Sequence, residues 1–151
     1  MVEIIITISI IAILSAIGTV QFSGFLRKNA VDKQVRQIYG DLMDLRSKAL
    51  FEKRIRVLRF ATASYSIYSS QETTVNPVET KKIDVALSSN NSVNDISYNT
   101  GGMLSGVSNK TICITEANSS PVDSIVLSLT RIQLGKRDEG ATCAETNVVA
   151  K

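Results

Sequence analysis

From Ile4 to Leu26 the chain runs for 23 residues without a charged side chain, and Glu3 is the single charge in residues 1–26. About 20 such residues, wound as a helix, cross the hydrocarbon core of a bilayer. The run therefore reads as the transmembrane half of a helix, closed by Arg27 and Lys28, whose charges reach the headgroups. A secretory signal peptide fits poorly. The apolar run is too long, no basic region precedes it, and no Ala-x-Ala-like cleavage site follows. A plain single-span anchor fits the length but leaves Glu3 without a reason. An unpaired carboxylate beside hydrocarbon is costly, and such groups generally have a functional partner.

The helix does not stop at residue 26. Val31, Val35, Ile38, Leu42, Leu45 and Ala49 follow one another at spacings of 4, 3, 4, 3 and 4, which is one apolar stripe on an amphipathic helix. No proline occurs before Pro77, and the stretch holds only Gly18, Gly24 and Gly40. The pattern predicts a nearly continuous helix over about residues 3–53, roughly 75 Å long. Residues 1–26 form its transmembrane half and residues 27–54 its amphipathic half. The stripe is expected to pack on the chain's own β-domain, with its lower part also meeting neighbouring subunits.

Charge follows the same division. Residues 27–59 carry ten Lys and Arg against four Asp and Glu, whereas residues 60–151 carry seven against nine. Asp41, Asp44 and Glu52 can meet basic neighbours three or four residues away, so most of this belt reads as a solvated face. Its lower members, Arg27, Lys28, Lys33 and Arg36, are placed to contact anionic lipid before assembly.

Beyond residue 54 the period changes to two. Strands are expected at Ile55–Phe60, Ser64–Ser69, Ile83–Leu87, Asp95–Tyr98, Thr111–Glu116 and Ser124–Leu134, the last open to division into two. Turn-rich stretches separate them at Ser88–Asn94, Thr100–Gly102, Leu104–Ser108 and Ala117–Pro121. The fold class is α+β: a long N-terminal spine helix packed on an antiparallel β-sheet domain, residues 55–151.

The composition removes several chemistries. The chain has no His and no Trp, so imidazole bases, Ser-His-Asp triads and His-ligated metals are absent. Gly102-Met-Leu-Ser-Gly has the wrong spacing for a nucleophile elbow, and the Asp residues show no calcium-loop spacing. No catalytic residue, metal or cofactor is expected. Cys113 and Cys143 are the only cysteines. A bridge between them would close a loop worth roughly 3–4 kcal/mol and pin a tail poor in apolar residues. Two unrelated buried thiols are the alternative, and an oxidising compartment outside the cytoplasm favours the bridge. Three Asn-x-Ser/Thr triplets, at Asn90, Asn109 and Asn118, read as parts of polar loops.

Met1-Val2-Glu3 followed by an unbroken apolar helix resembles the start of type IV pilins and type II secretion pseudopilins. Their mature chains begin Phe-Thr-Leu-Val-Glu or a close variant after a prepilin peptidase removes a basic leader. The match here begins at Met1, two residues and a leader short of that pattern. The rest of the chain resembles the GspH/FimT branch. That likeness is carried by Arg46-Ser-Lys-Ala-Leu-Phe-Glu-Lys-Arg running into Ile55-Arg-Val-Leu-Arg-Phe, by Ile96-Ser-Tyr-Asn-Thr-Gly-Gly-Met-Leu-Ser-Gly, and by Ile125-Val-Leu-Ser-Leu-Thr-Arg-Ile-Gln-Leu-Gly. The resemblance implies a non-enzymatic structural subunit, a minor one, of a pilus or secretion pseudopilus. Its implied partners are other pilin or pseudopilin subunits through their N-terminal helices, the inner membrane before assembly, and the prepilin peptidase on the precursor. Its β-domain would be periplasmic. Glu3 would pair with the N-terminal amine of an adjacent subunit.

The resemblance also implies an alternative, because some FimT-type minor pilins bind DNA through a basic Gly-Arg-x-Arg element. The nearest residues here are Arg131, Lys136 and Arg137. The glycine and second arginine of the pattern are missing, and Asp138 and Glu139 follow at once. A solvated hairpin tip is the preferred reading of these three, since DNA binding needs a basic patch that neutralises several phosphates.

Overall fold

The computed structural model describes residues 2–90, 94–106, 109–116 and 119–151; the side chains of 14–21 lie outside the description. One helix, α1 (Val2–Glu52), fills the N-terminal third in 51 residues. It ends where Lys53 turns to a positive φ of 55°, the left-handed conformation that commonly terminates helices. Its length is about 76 Å at 1.5 Å per residue.

Among the described residues nine strands follow: β1 (Arg56–Phe60), β2 (Ser64–Tyr68), β3 (Glu79–Lys82), β4 (Leu87–Ser89), β5 (Asp95–Tyr98), β6 (Lys110–Ile114), β7 (Ser124–Leu127), β8 (Ile132–Arg137) and β9 (Val148–Ala150). They form two antiparallel sheets, ordered β3-β2-β1-β5 and β4-β6-β7-β8-β9. The pairing of Tyr98 with Leu104 and the bond from Leu104 N to Leu129 O at 2.9 Å tie one sheet to the other.

The stripe of α1 is the seam of the molecule. Val31, Ile38, Leu42 and Ala49 are wholly buried, and Val35 and Leu45 almost so. They pack in one cluster with Leu58, Tyr65 and Ile96 of the first sheet and Ile112, Ile114, Ile125 and Leu127 of the second. Polar side chains fix the helix in register on this apolar base. The Tyr65 hydroxyl donates to Asp41, whose other oxygen accepts from Lys81 Nζ at 2.7 Å. Burial, with the Asp41 bond adding to it, raises the Tyr65 pKa above its ordinary value. Gln34 accepts from the backbone N–H of Asp84 at 2.9 Å.

The outer face of the second sheet is also covered. Thr111, Cys113, Ser124 and Val126 point away from α1, yet all are buried. The C-terminal segment supplies the cover. It is joined to the sheet by the Cys113–Cys143 disulfide, with Cα atoms 5.8 Å apart. It then makes a 3-10 turn at Glu145–Asn147 and returns to pair with β8 as β9.

Several sequence expectations need correction. Ile83–Leu87 is not a strand: only Leu87 belongs to one, β4, and Ile83 and Val85 instead pack their side chains on the core from a loop. β3 was missed because Glu79-Thr80-Lys81-Lys82 is a polar edge strand with no apolar alternation. β9 lies in what reads as a structureless tail. The expected turns at Ser88–Asn94, Leu104–Ser108 and Ala117–Pro121 fall partly outside the described residues, as does Asn118. Asn90 has a structural task, accepting from Thr111 N at 2.7 Å and donating to Asn109 O at 3.1 Å.

Among the described residues no helix is long and apolar enough to cross a membrane. The described apolar stretch before residue 14, from Ile4, is about 15 Å long, against roughly 30 Å of hydrocarbon. The middle of the expected span, residues 14–21, lies outside the described side chains.

Two substitutions test this packing. Leu42→Ala is expected to cost about 2–5 kcal/mol through the cavity it leaves, measured by chemical denaturation. A Cβ on Gly135 would sit 2.2 Å from Val148 Cγ1, so Gly135→Ala is expected to lift β9. Amide exchange should then quicken at residues 148–151 while β1 and β2 are unaffected.

Candidate assembly surface

Below Arg27, none of the described side chains of α1 is buried against the rest of the chain. Val2, Ile4, Ile5, Ile6, Ile8, Ile10, Ile11 and Ile13 are all more than half exposed, as are Phe22, Phe25 and Leu26. Successive residues turn by about 100°, so Ile4, Ile5, Ile6 and Ile8 point in four different directions. The exposure is therefore all round the helix, the pattern of a segment meant to be buried by something outside its own chain. Two hydroxyls within it are satisfied locally: Thr7 Oγ1 donates to Ile4 O at 2.9 Å and Ser9 Oγ to Ile5 O at 2.7 Å. Glu3 is exposed and has no partner among the described residues.

Arg27 marks the upper limit of this surface. It pairs with Glu116, just beyond β6, and so ties the foot of the β-domain to the helix where the apolar run ends. Arg36 pairs with Asp32, and Lys48 with Asp44, along the exposed side. The basic belt is thus partly neutralised by its own helix, as four-residue spacing allows.

The three basic residues singled out for nucleic acid do not form one patch. Arg131 is exposed in the turn between β7 and β8. Lys136 and Arg137 lie at the other end of β8, roughly 17–20 Å away along the strand. Lys136 Nζ donates to Asp123 at 2.7 Å, and the Arg137 guanidinium donates to Ile114 O at 3.0 Å. Both are committed to holding the second sheet together. Among the described residues no group of three or more metal-ligating side chains converges.

Asp123 is the functional partner that sequence reading overlooked. It is 3% exposed and also accepts from Arg137 N and Ser124 Oγ at 2.8 Å each. Burial pushes its pKa up, but these hydrogen bonds outweigh burial and hold it below the usual carboxylate value. The signal was present: the β7–β8 hairpin pairs Ser124 with Gly135, so its register sets Asp123 opposite Lys136. Because the folded pKa is depressed, Asp123 stabilises the fold at neutral pH, and that contribution fades as pH falls below about 4. Asp123→Asn is expected to cost about 1–3 kcal/mol at pH 7 and markedly less at low pH. Denaturation curves at several pH values check this; an equal loss throughout would contradict it.

No protein-family model matches the chain, and no curated protein matches it in sequence. Solved structures do. The type IV minor pilin FimU of Pseudomonas aeruginosa, strain PAO1, superimposes in one crystal form with a TM-score of 0.60 at 17% identity, over 73% of this chain and 91% of that one. In a second crystal form the score is 0.57 at 17% identity, over 68% and 90%. At that identity the likeness is one of fold, and the fold of this chain is that of a type IV pilin: a long N-terminal helix carrying an antiparallel β-domain.

Proposed function

We propose that the chain is a non-enzymatic structural subunit of a type IV pilus or type II secretion pseudopilus, and a minor one. One observation carries this reading: about half of a single helix is buried in a β-domain, and the other half exposes apolar side chains in every direction. Such a surface is satisfied by a bundle of like helices. The pilin fold and the likeness to a minor pilin support the same reading. The partners are then other pilin or pseudopilin subunits, bound through their N-terminal helices.

Before assembly, residues 1–26 are proposed to hold the chain in the inner membrane, with residues 55–151 in the periplasm. This rests on the 23 uncharged residues of the sequence and on the oxidised cysteine pair, which suits a compartment outside the cytoplasm. The prepilin peptidase acts on a precursor in this scheme. Glu3 is the assembly residue. Buried among apolar helices, its carboxylate needs a cation, and the N-terminal amine of a neighbouring subunit supplies one. Such a pair acts mainly as a register device, because the unpaired alternative is so costly in hydrocarbon.

Glu3→Ala is therefore expected to leave folding and membrane association intact and to abolish incorporation into filaments. Sheared filaments containing the variant at parental levels would refute the role. DNA uptake is the competing proposal. It predicts a gel shift that weakens with salt and is lost when Arg131, Lys136 and Arg137 are neutralised together. Absent or salt-insensitive binding removes it.

A further inference from the structure

Each sheet of the β-domain has two outer edges, and an edge presents unpaired backbone groups that proteins blunt with charge or cover. β3, at one edge of the first sheet, carries Glu79, Lys81 and Lys82. β5, at the other edge, is covered: Tyr98 pairs with Leu104, and Ser105 N donates to Ser97 O at 2.8 Å. β4, an edge of the second sheet, has neither protection. Its residues are Leu87, Ser88 and Ser89, without charge or proline. Among the described residues no strand lies on its outer side.

The ladder shows which groups of β4 are free. Thr115 N donates to Ala86 O at 2.9 Å, whereas Ile114 N donates to Asp123 O, on the β7 side of β6. Hydrogen-bonded pairs alternate along an antiparallel ladder. Leu87 and Ser89, opposite Ile114 and Ile112, therefore turn their N–H and C=O groups away from β6, about 6.8 Å apart along the edge. No described backbone group bonds to them there. Beside this edge opens a cleft of about 430 Å³, a size within the range of ligand sites. Its floor is Phe60, Ile83, Leu87 and Ile112, and no charged residue is among the described ones that line it. Phe60, Ile83 and Leu87 are half-buried at the margin of the core, so the floor is core surface left open.

We propose that this cleft receives an extended peptide segment of another protein, which adds to β4 as a further strand of the second sheet. The backbone of the segment pairs with Leu87 and Ser89. Its alternate side chains, on the face that Leu87 shares, are apolar and enter the cleft. An acyl chain or a small aromatic molecule would fill the floor but leave the edge groups unpaired, so the backbone pattern selects a peptide. The uncharged lining selects a segment without charge at the inserted positions. A second copy of this chain, pairing through its own β4, is the wrong occupant. Antiparallel pairing of that kind has a two-fold axis normal to the sheet, which points the two α1 helices in opposite directions. Spine helices entering one bundle point the same way. Only this exclusion rests on the subunit reading above; the strand site stands on the edge and the cleft.

The test uses the isotope-labelled full chain in lipid nanodiscs and, as probe, the capped peptide Ser-Val-Thr-Ile-Thr-Val-Ser, titrated to about 1 mM. Amide exchange at Leu87 and Ser89 is expected to slow, with signal shifts at Phe60 and Ile83. Two further peptides carry N-methyl groups on alternate amides, one peptide for each edge of the strand. One of the two is expected to bind like the parent probe and the other not at all, because a single edge faces β4. Ser89→Pro removes an outward N–H without touching a bond to β6, which an edge position tolerates. It is expected to weaken the probe roughly five- to tenfold. Equal behaviour of the two methylated peptides overturns strand addition; if both bind, the cleft is a site for any apolar group, lipid included. A Ser89→Pro chain that binds like the parent overturns it as well. So does the absence of binding, or protection at Val148–Ala150, the other edge of the sheet, in place of Leu87 and Ser89.

Discussion

Everything in this molecule depends on how one helix divides its apolar surface. Between Val31 and Ala49 the buried apolar residues form a single stripe, and two sheets close over it. Below Arg27 they surround the helix, and none of the described ones is covered by the rest of the chain. No rearrangement of a domain this size can bury both. A side chain such as Ile10 left in water costs about 1.5–3 kcal/mol relative to burial, and the described exposed segment holds eleven comparable residues. The folded monomer is therefore an incomplete object, stable above the Arg27–Glu116 pair and in need of an apolar environment below it.

The β-domain is built to withstand that arrangement. Its inner face is sealed by the stripe. Its outer face is sealed by a C-terminal segment that has little apolar surface of its own, so covalent and electrostatic ties do the holding. The disulfide fixes the segment at β6, and Asp123 with Lys136 and Arg137 locks the end of β8 from which it departs. Lys136 and Arg137 are consequently better understood as parts of this lock than as free cations.

How much of this could be read from the sequence varied with the kind of signal. The spine helix and its buried stripe were legible because a strict period over six positions has few rival explanations. Strands β1, β2, β5 and β6 were legible to within a residue or two because one face of each is apolar, whereas the stretch Ser124–Leu134 proved to be two strands, β7 and β8, the second running on to Arg137. β3 was not, since Glu79-Thr80-Lys81-Lys82 has no apolar alternation and its key side chain, Lys81, acts through an acid 40 positions away. The loop at Ile83–Leu87 misled in the opposite direction, because apolar residues that pack from a loop look like a strand. For the assembly surface, the apolar run and Glu3 were plain in the sequence. The dispersal of Arg131, Lys136 and Arg137 along one strand became visible only with the hairpin register.

The central claim is that the lower half of α1 is buried by other subunits and by nothing within its own chain. The direct measurement is maleimide labelling of Ile10→Cys, since both native cysteines are joined in a disulfide. The account predicts rapid labelling of the detergent-free monomer and strong protection in filaments sheared from cells. Equal labelling in the two states would contradict it.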